Sequence, residues 1–279
     1  MEKNKNSIQK EAPFSPRLDK KIFWLFTPAN LIVLILMGLF LILHLINIDA
    51  IGDGNLYYTA AVKSMLQSWD NFFFAAAEPG GSVSVDKPPL GLWIETLFAM
   101  VLGVNGFAVS LPNILTGVFS LPILFFIVKG QFGTLSGIIS MVVYIVSPIV
   151  LATDRNNTID GMLVFTLLIA AWAFMRATDK GKLSYLILGA VLIGLGFNIK
   201  MLQAFLVLPA FFLLFLAGSR IRFWKRILYL GFATLVILTV SLSWALVVDL
   251  TPSNERPYVG SSENNTVLEL IIGHNGLSR

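Results

Sequence analysis

"PLGLWIETLFAMVLGV", residues 89–104, decides the topology of this chain. The stretch is apolar, but it opens on proline, carries Glu95 and is shorter than the roughly 17 to 25 residues that cross a bilayer as a helix. Seven other stretches are long enough: 27–48, 107–128, 132–151, 160–177, 183–200, 202–218 and 227–248. If 89–104 stays on one side, the basic tail 1–26 and the turns at Lys129, Arg176/Lys180/Lys182 and Arg220–Arg226 all share a face. That face then holds 14 of the 20 Lys and Arg, and the other takes 12 of the 16 acids. Cytoplasmic loops collect Lys and Arg, so this arrangement is preferred. A crossing at 89–104 would put the dense basic turn at 220–226 outside.

The expected fold is therefore an all-α polytopic membrane protein of about seven spans between residues 27 and 248. Its tail 1–26 is cytoplasmic, 55–70 and 89–104 are outer juxtamembrane helices, and 249–279 begins an outer loop. Composition agrees: hydrophobic residues make up 56% of 279 and charged ones only 13%, more apolar surface than a soluble domain can hide. The first apolar run is too long for a signal h-region and has no small-residue cleavage site, so it reads as an uncleaved anchor. There is no cysteine, hence no disulfide framework and no thiolate metal site. No basic groove with interleaved aromatics suggests nucleic acid, and no P-loop or dinucleotide glycine fingerprint is present.

On this topology the polar residues gather at the outer face. In "GDGNLYYTAAVKSML", 52–66, Tyr58, Val62, Met65, Leu66 and Trp69 recur at helical spacing, opposite Thr59, Lys63, Gln67 and Asp70. This pattern reads as an interfacial helix. Asp53 or Asn55 can cap it. Equally, a partly desolvated Asp53 would make an effective base. In "SVDKPPL" the prolines pre-set a helix start beside Lys87, which makes an anion site or a lysine paired with Asp86. "TDRNNTID" brings Asp154, Arg155 and Asp160 to a joint between spans, where ionisable residues default to function. In "GLGFNIKMLQAFLVLP", Lys200 sits between two spans beside Asn198 and Gln203 and needs a counter-ion, unless it snorkels. His44 and His274 have no partner at metal-ligand spacing and read as structural.

The acid-bearing loop, "DKPPLGLW", the Arg-Asn-Asn-x-x-Asp run, "GLGFNIKMLQAFLVLP" and "RPYVGSSENN…LELIIGHNGL" together resemble the bacterial glycosyltransferase family 39. Its relatives include protein O-mannosyltransferases and the aminoarabinose transferase of lipid A. The resemblance runs from Asp49 to Arg279 and implies a GT-C core of seven helices. It also implies a sugar donor on polyprenyl phosphate and transfer at the outer face with inversion. Asp53 falls on the family's catalytic aspartate, although the usual following glutamate is here Gly54. Lys87 falls on its Lys-Pro-Pro lysine, Asp160 on the acid that opens a later span, and Lys200 on the lysine of its Gly-Phe-x-x-Lys pattern. Family members are longer, so the chain reads as a front portion.

In the mechanism this implies, Asp53 is the general base, Lys87 and Lys200 hold the departing phosphate, and Asp160 orients the acceptor or a lysine. Tyr57 and Tyr58 stack on the sugar, with Asp86 and Arg155 in the binding set. The partners are a polyprenyl-phosphate sugar, a protein, lipid or cell-wall acceptor and the bilayer, with no nucleic acid. No cofactor is required, though two carboxylates near a phosphate leave Mg²⁺ or Mn²⁺ open. The rivals are a transporter or flippase of lipid-linked anions, which would want polar residues along the spans, and an inactive fragment.

Overall fold

Thr27 and Pro28 open the first helix as their types dictate: the Thr27 hydroxyl accepts the Asn30 amide at 3.2 Å and proline takes the first turn. The computed structural model describes residues 18–19 and 27–277. The basic tail expected over 1–26 therefore lies outside the described residues, apart from Leu18 and Asp19. The Asp19 carboxylate meets Lys129 and the Thr134 hydroxyl.

The chain is all helical, with two isolated bridges in place of a sheet among the described residues. After α1 (Pro28–Leu45) come a 3₁₀ turn (Ile48–Ile51), α2 (Leu56–Met65), α3 (Trp69–Phe73), α4 (Leu90–Leu102) and α5 (Gly106–Phe132). Then follow α6 (Thr134–Ile145), α7 (Pro148–Arg155), α8 (Asp160–Lys180), α9 (Leu183–Lys200), a 3₁₀ segment (Met201–Val207) and α10 (Leu208–Gly218). The last elements are α11 (Phe223–Leu250), α12 (Val267–Ile272) and a π turn (Gly273–Leu277).

By length and composition, five helical stretches can cross a membrane: α1, α5, α8, the continuous run Leu183–Gly218, and α11. A sixth is broken, because α6 and α7 meet at 56° where Pro148 cannot continue the helix. The run Leu183–Gly218 is no straight rod. Lys200 pairs with Asp160 at the start of α8, whereas a Cβ on Gly218 would lie 2.8 Å from Thr178 near its end. The chain thus doubles back between them, at Met201, whose φ of +43° is rare for methionine. Burial of Met201 beside Tyr58 and Phe197 holds the turn. The returning leg, 3₁₀ then α, is about 30 Å long, the thickness of a hydrocarbon core. Seven apolar legs result among the described residues.

Glu95 lies on a helix too short to span a hydrocarbon core. The 13 residues of α4 rise only about 20 Å. Leu92, Glu95, Thr96 and Ala99 face inward against α5, α2 and α9, while Leu97, Met100 and Val101 are exposed. Four apolar clusters hold the bundle among the described residues: α1 on α5 and α6; α8 to α11 at the Lys180 end; one at the Asp160 end that joins α2, α4, α8, α9, α11 and α12; and a small one of Val62, Ala99 and Val109 that joins α2, α4 and α5. Outward residues such as Ile35 and Leu238 stay apolar and exposed, as lipid-facing positions do.

The single helix expected over 55–70 is two. Ser68 breaks it and caps α3, its hydroxyl accepting the Asn71 amide at 3.0 Å, so Trp69 leaves the apolar face and is 72% exposed. Thr59, expected on the polar face, is buried instead because its hydroxyl donates to the Asp53 carbonyl at 2.6 Å.

Candidate active site

The loop between α3 and α4 puts two prolines after Lys87, which forces Lys87 to lie extended and turns its side chain into the bundle. The side chain is 5% exposed, and its ammonium pairs with the neighbouring Asp86 carboxylate and carbonyl. Three groups close on Asp86. The Tyr57 hydroxyl accepts its N–H at 3.2 Å, His274 Nε2 lies 3.2 Å from its Oδ2, and Asn275 donates to its carbonyl at 3.2 Å. The last two come from the π turn, which the tail carries there by pairing Tyr258 with Ser82 and Ser84. Burial pushes the Asp86 carboxyl up, but Lys87 and then His274 outweigh it and hold the group below the usual carboxylate range. Burial, with Asp86 nearby, pushes the Tyr57 phenol up to about 12, and Tyr58 shifts the same way.

A second ion pair joins Lys200, last in α9, to Asp160, first in α8. Lys200, Gln203, Asn275 and Gly276 line a cavity of about 230 Å³. Asn275 therefore bonds one pair and shares a cavity with the other, and the Tyr58 phenol feels the charges of both Asp86 and Asp160. Beside them an apolar groove of about 290 Å³ runs along Phe73, Leu90, Trp93, Leu195, Trp244 and Val247. Indole N–H bonds from Trp93 to Phe72 and from Trp244 to Phe73 fix its walls.

Two expected site residues stand apart from this cluster. Asp53 forms an ion pair with Lys63 at 3.4 Å and keeps 42% of its side chain in the open, a partly solvated setting. It is not the cap of α2: Asn55 accepts the Tyr57 and Tyr58 amides. Arg155 donates to the Ile46 and Asn47 carbonyls at 2.8 and 3.1 Å. It thus closes the C-terminal end of α1, a role that suits arginine.

Sequence reasoning missed His274, whose partner is 188 positions away and leaves no local trace. It also missed the pairing of His44, buried with Asp154 at 3.5 Å. Among the described residues no three His, Cys, Asp or Glu converge as a metal set; Asp86 and His274 form a pair. Protonating Asp86 releases its cations. Because its folded pKa is lowered, the stabilisation is present above the unfolded value, about 4, and is lost as pH falls through the folded one. Asp86→Asn is therefore expected to destabilise the protein at neutral pH, with the gap to wild type closing in acid. Thermal unfolding across pH measures this.

Membrane legs, with a charged cluster at one end and an apolar groove, define the class: an all-α polytopic membrane protein. Residues 86–244 match the dolichyl-phosphate-mannose-protein mannosyltransferase family, to which the chain belongs. It is 47% and 42% identical to YycA and YkcB of Bacillus subtilis, which bear provisional mannosyltransferase names, each over 90% of this chain. It is also 28% identical, over 59% of its length, to the undecaprenyl phosphate-α-4-amino-4-deoxy-L-arabinose arabinosyl transferase 1 of Proteus mirabilis, of which the match covers 31%. The chain spans about a third of the Bacillus relatives, 36% and 35%. No solved structure matches it.

Proposed function

We propose that the protein moves a sugar from a polyprenyl-phosphate donor to a protein, lipid or cell-wall acceptor at the outer face of the membrane, inverting the anomeric carbon, with its N-terminus cytoplasmic. The observation that carries this reading is Asn275, which bonds Asp86 of the Asp86–Lys87 pair and lines one cavity with Lys200 of the Asp160–Lys200 pair, together with an apolar groove in the same bundle. The lysines suit a phosphate and the groove suits an isoprenoid tail. The crowding of basic residues at the opposite ends of the legs supports the orientation.

In the transfer step the acceptor oxygen attacks the sugar's C1 and the C1–O bond to phosphate breaks. The electron pair leaves with the polyprenyl phosphate, and the acceptor's proton goes to Asp53. Lys87 and Lys200 offset the charge that gathers on the leaving phosphate. Asp160 aims Lys200, Asp86 aims Lys87, and Tyr57 and Tyr58 offer faces to the sugar. The Arg155 contacts with α1 favour a structural role for that residue.

The test is turnover of a polyprenyl-phosphate sugar in proteoliposomes. Asp53→Asn is expected to slow transfer about a hundredfold, the lower end of general-base effects, because the carboxylate is partly solvated. A wild-type rate would remove the base assignment.

A further inference from the structure

Glu95 lies outside the charged cluster, and its surroundings are unusual for a carboxylate. It is fully buried on α4, and no lysine, arginine or histidine among the described residues pairs with it. Its neighbour is Asn113 of α5, also fully buried, whose amide N–H donates to Glu95 Oε1 at 3.1 Å. The other half of each group is unsatisfied: Glu95 Oε2 and Asn113 Oδ1 are both buried without a partner. Two orphaned acceptors in one side-chain pair are costly. An ionised, unpaired carboxylate at that depth costs more.

One proton resolves all of this. If Glu95 is a carboxylic acid, its Oε2–H can donate to Asn113 Oδ1 while Asn113 Nδ2–H donates to Glu95 Oε1. Both orphans are satisfied and no charge is buried. We infer that Glu95 is a neutral acid locked face to face with the Asn113 carboxamide, and that this ring positions the turn bearing Asp53.

The connection to Asp53 is a chain of contacts. Asn157, also fully buried, lies against Glu95. Its Oδ1 accepts the Asn55 amide at 2.6 Å and its Nδ2–H donates to the Thr59 hydroxyl at 3.2 Å. Thr59 in turn donates to the Asp53 carbonyl. Asn157 holds φ at +40°, a conformation asparagine tolerates better than most residues, and a Cβ on Gly54 would come within 2.6 Å of its Oδ1. Glu95 is thus a positioning residue: it packs against Asn157, which holds both sides of the turn. Burial also pushes its carboxyl well above the ordinary range.

The experiment is infrared difference spectroscopy of the full chain in lipid nanodiscs, wild type against Glu95→Gln. The substitution should remove a protonated-carboxyl C=O band that shifts in D₂O and persists at mildly alkaline pH. Loss of ionised-carboxylate bands instead would overturn the proposal. This arm is independent of enzymatic activity; the positioning arm rests on the transferase reading. In that arm Glu95→Leu should lower kcat on the order of 10- to 100-fold, with KM little changed. Glu95→Gln, which can rebuild the reciprocal pair as amide on amide, should restore most of the loss. Equal losses in the two variants would sink the positioning role. Should Glu95→Leu not fold, Asn157→Ala, which cuts the next link, carries the same kcat test.

Discussion

Lys87→Met is expected to lower kcat for sugar transfer by roughly 10²- to 10³-fold, with donor binding weakened as well. An ammonium that is 5% exposed acts in a medium where a unit charge is worth several times its value in water. Removing one preorganised stabiliser of a developing anion typically costs that much. The substitution also leaves the Asp86 carboxylate with the His274 imidazole as its remaining side-chain partner, so part of the effect is structural. Comparing kcat with thermal stability separates the two. If transfer persisted near the wild-type rate in a folded Lys87→Met protein, the phosphate role would be lost. Lys200→Met should follow the same direction less steeply, since Lys200 is more exposed.

Gly106→Ala is expected to destabilise the protein by about 3 kcal/mol, the upper end of overpacking costs. Gly106 is the first residue of α5, and a Cβ there would run into the carbonyl oxygen of Gly52. A backbone carbonyl cannot swing aside as a long side chain can. Gly52 itself holds φ at +63° directly before Asp53, so any yielding displaces the acid-bearing turn. The control is Gly130→Ala in the same helix, where a Cβ meets nothing within 4 Å and the gain in helix propensity should stabilise by roughly 0.5 to 1 kcal/mol. Thermal unfolding of the two variants measures both. Equal stabilities would show that the Gly52–Gly106 approach has no energetic weight.

Much of the architecture follows from features visible in the chain. Apolar runs and basic turns mark the legs. The prolines before 89–104, and its short length, indicate a helix that stays at one end of the bundle. A lone lysine between two apolar runs at Lys200 marks the place where the chain reverses. The need of that lysine for a counter-ion also anticipates Asp160. What was hidden is long-range. Nothing near Thr59 announces that Asn157 buries it, and nothing near Ser68 says that the helix stops before Trp69 rather than after. Arg155 reads as a ligand-binding cation until α1 supplies the carbonyls it closes. Asn113, a polar residue in an apolar leg, was the available hint of the Glu95 pair, and hydropathy alone passes over it.

The 188 positions between Asp86 and His274 also set an order of assembly. At about 5 to 20 residues per second, the ribosome delivers Lys87 some ten to forty seconds before the histidine that will cover its partner. Through that interval the Lys87 ammonium must wait without that cover. The aspartate one position upstream gives it a companion from the moment of its synthesis, so the charge is never carried alone while its roof is still being made.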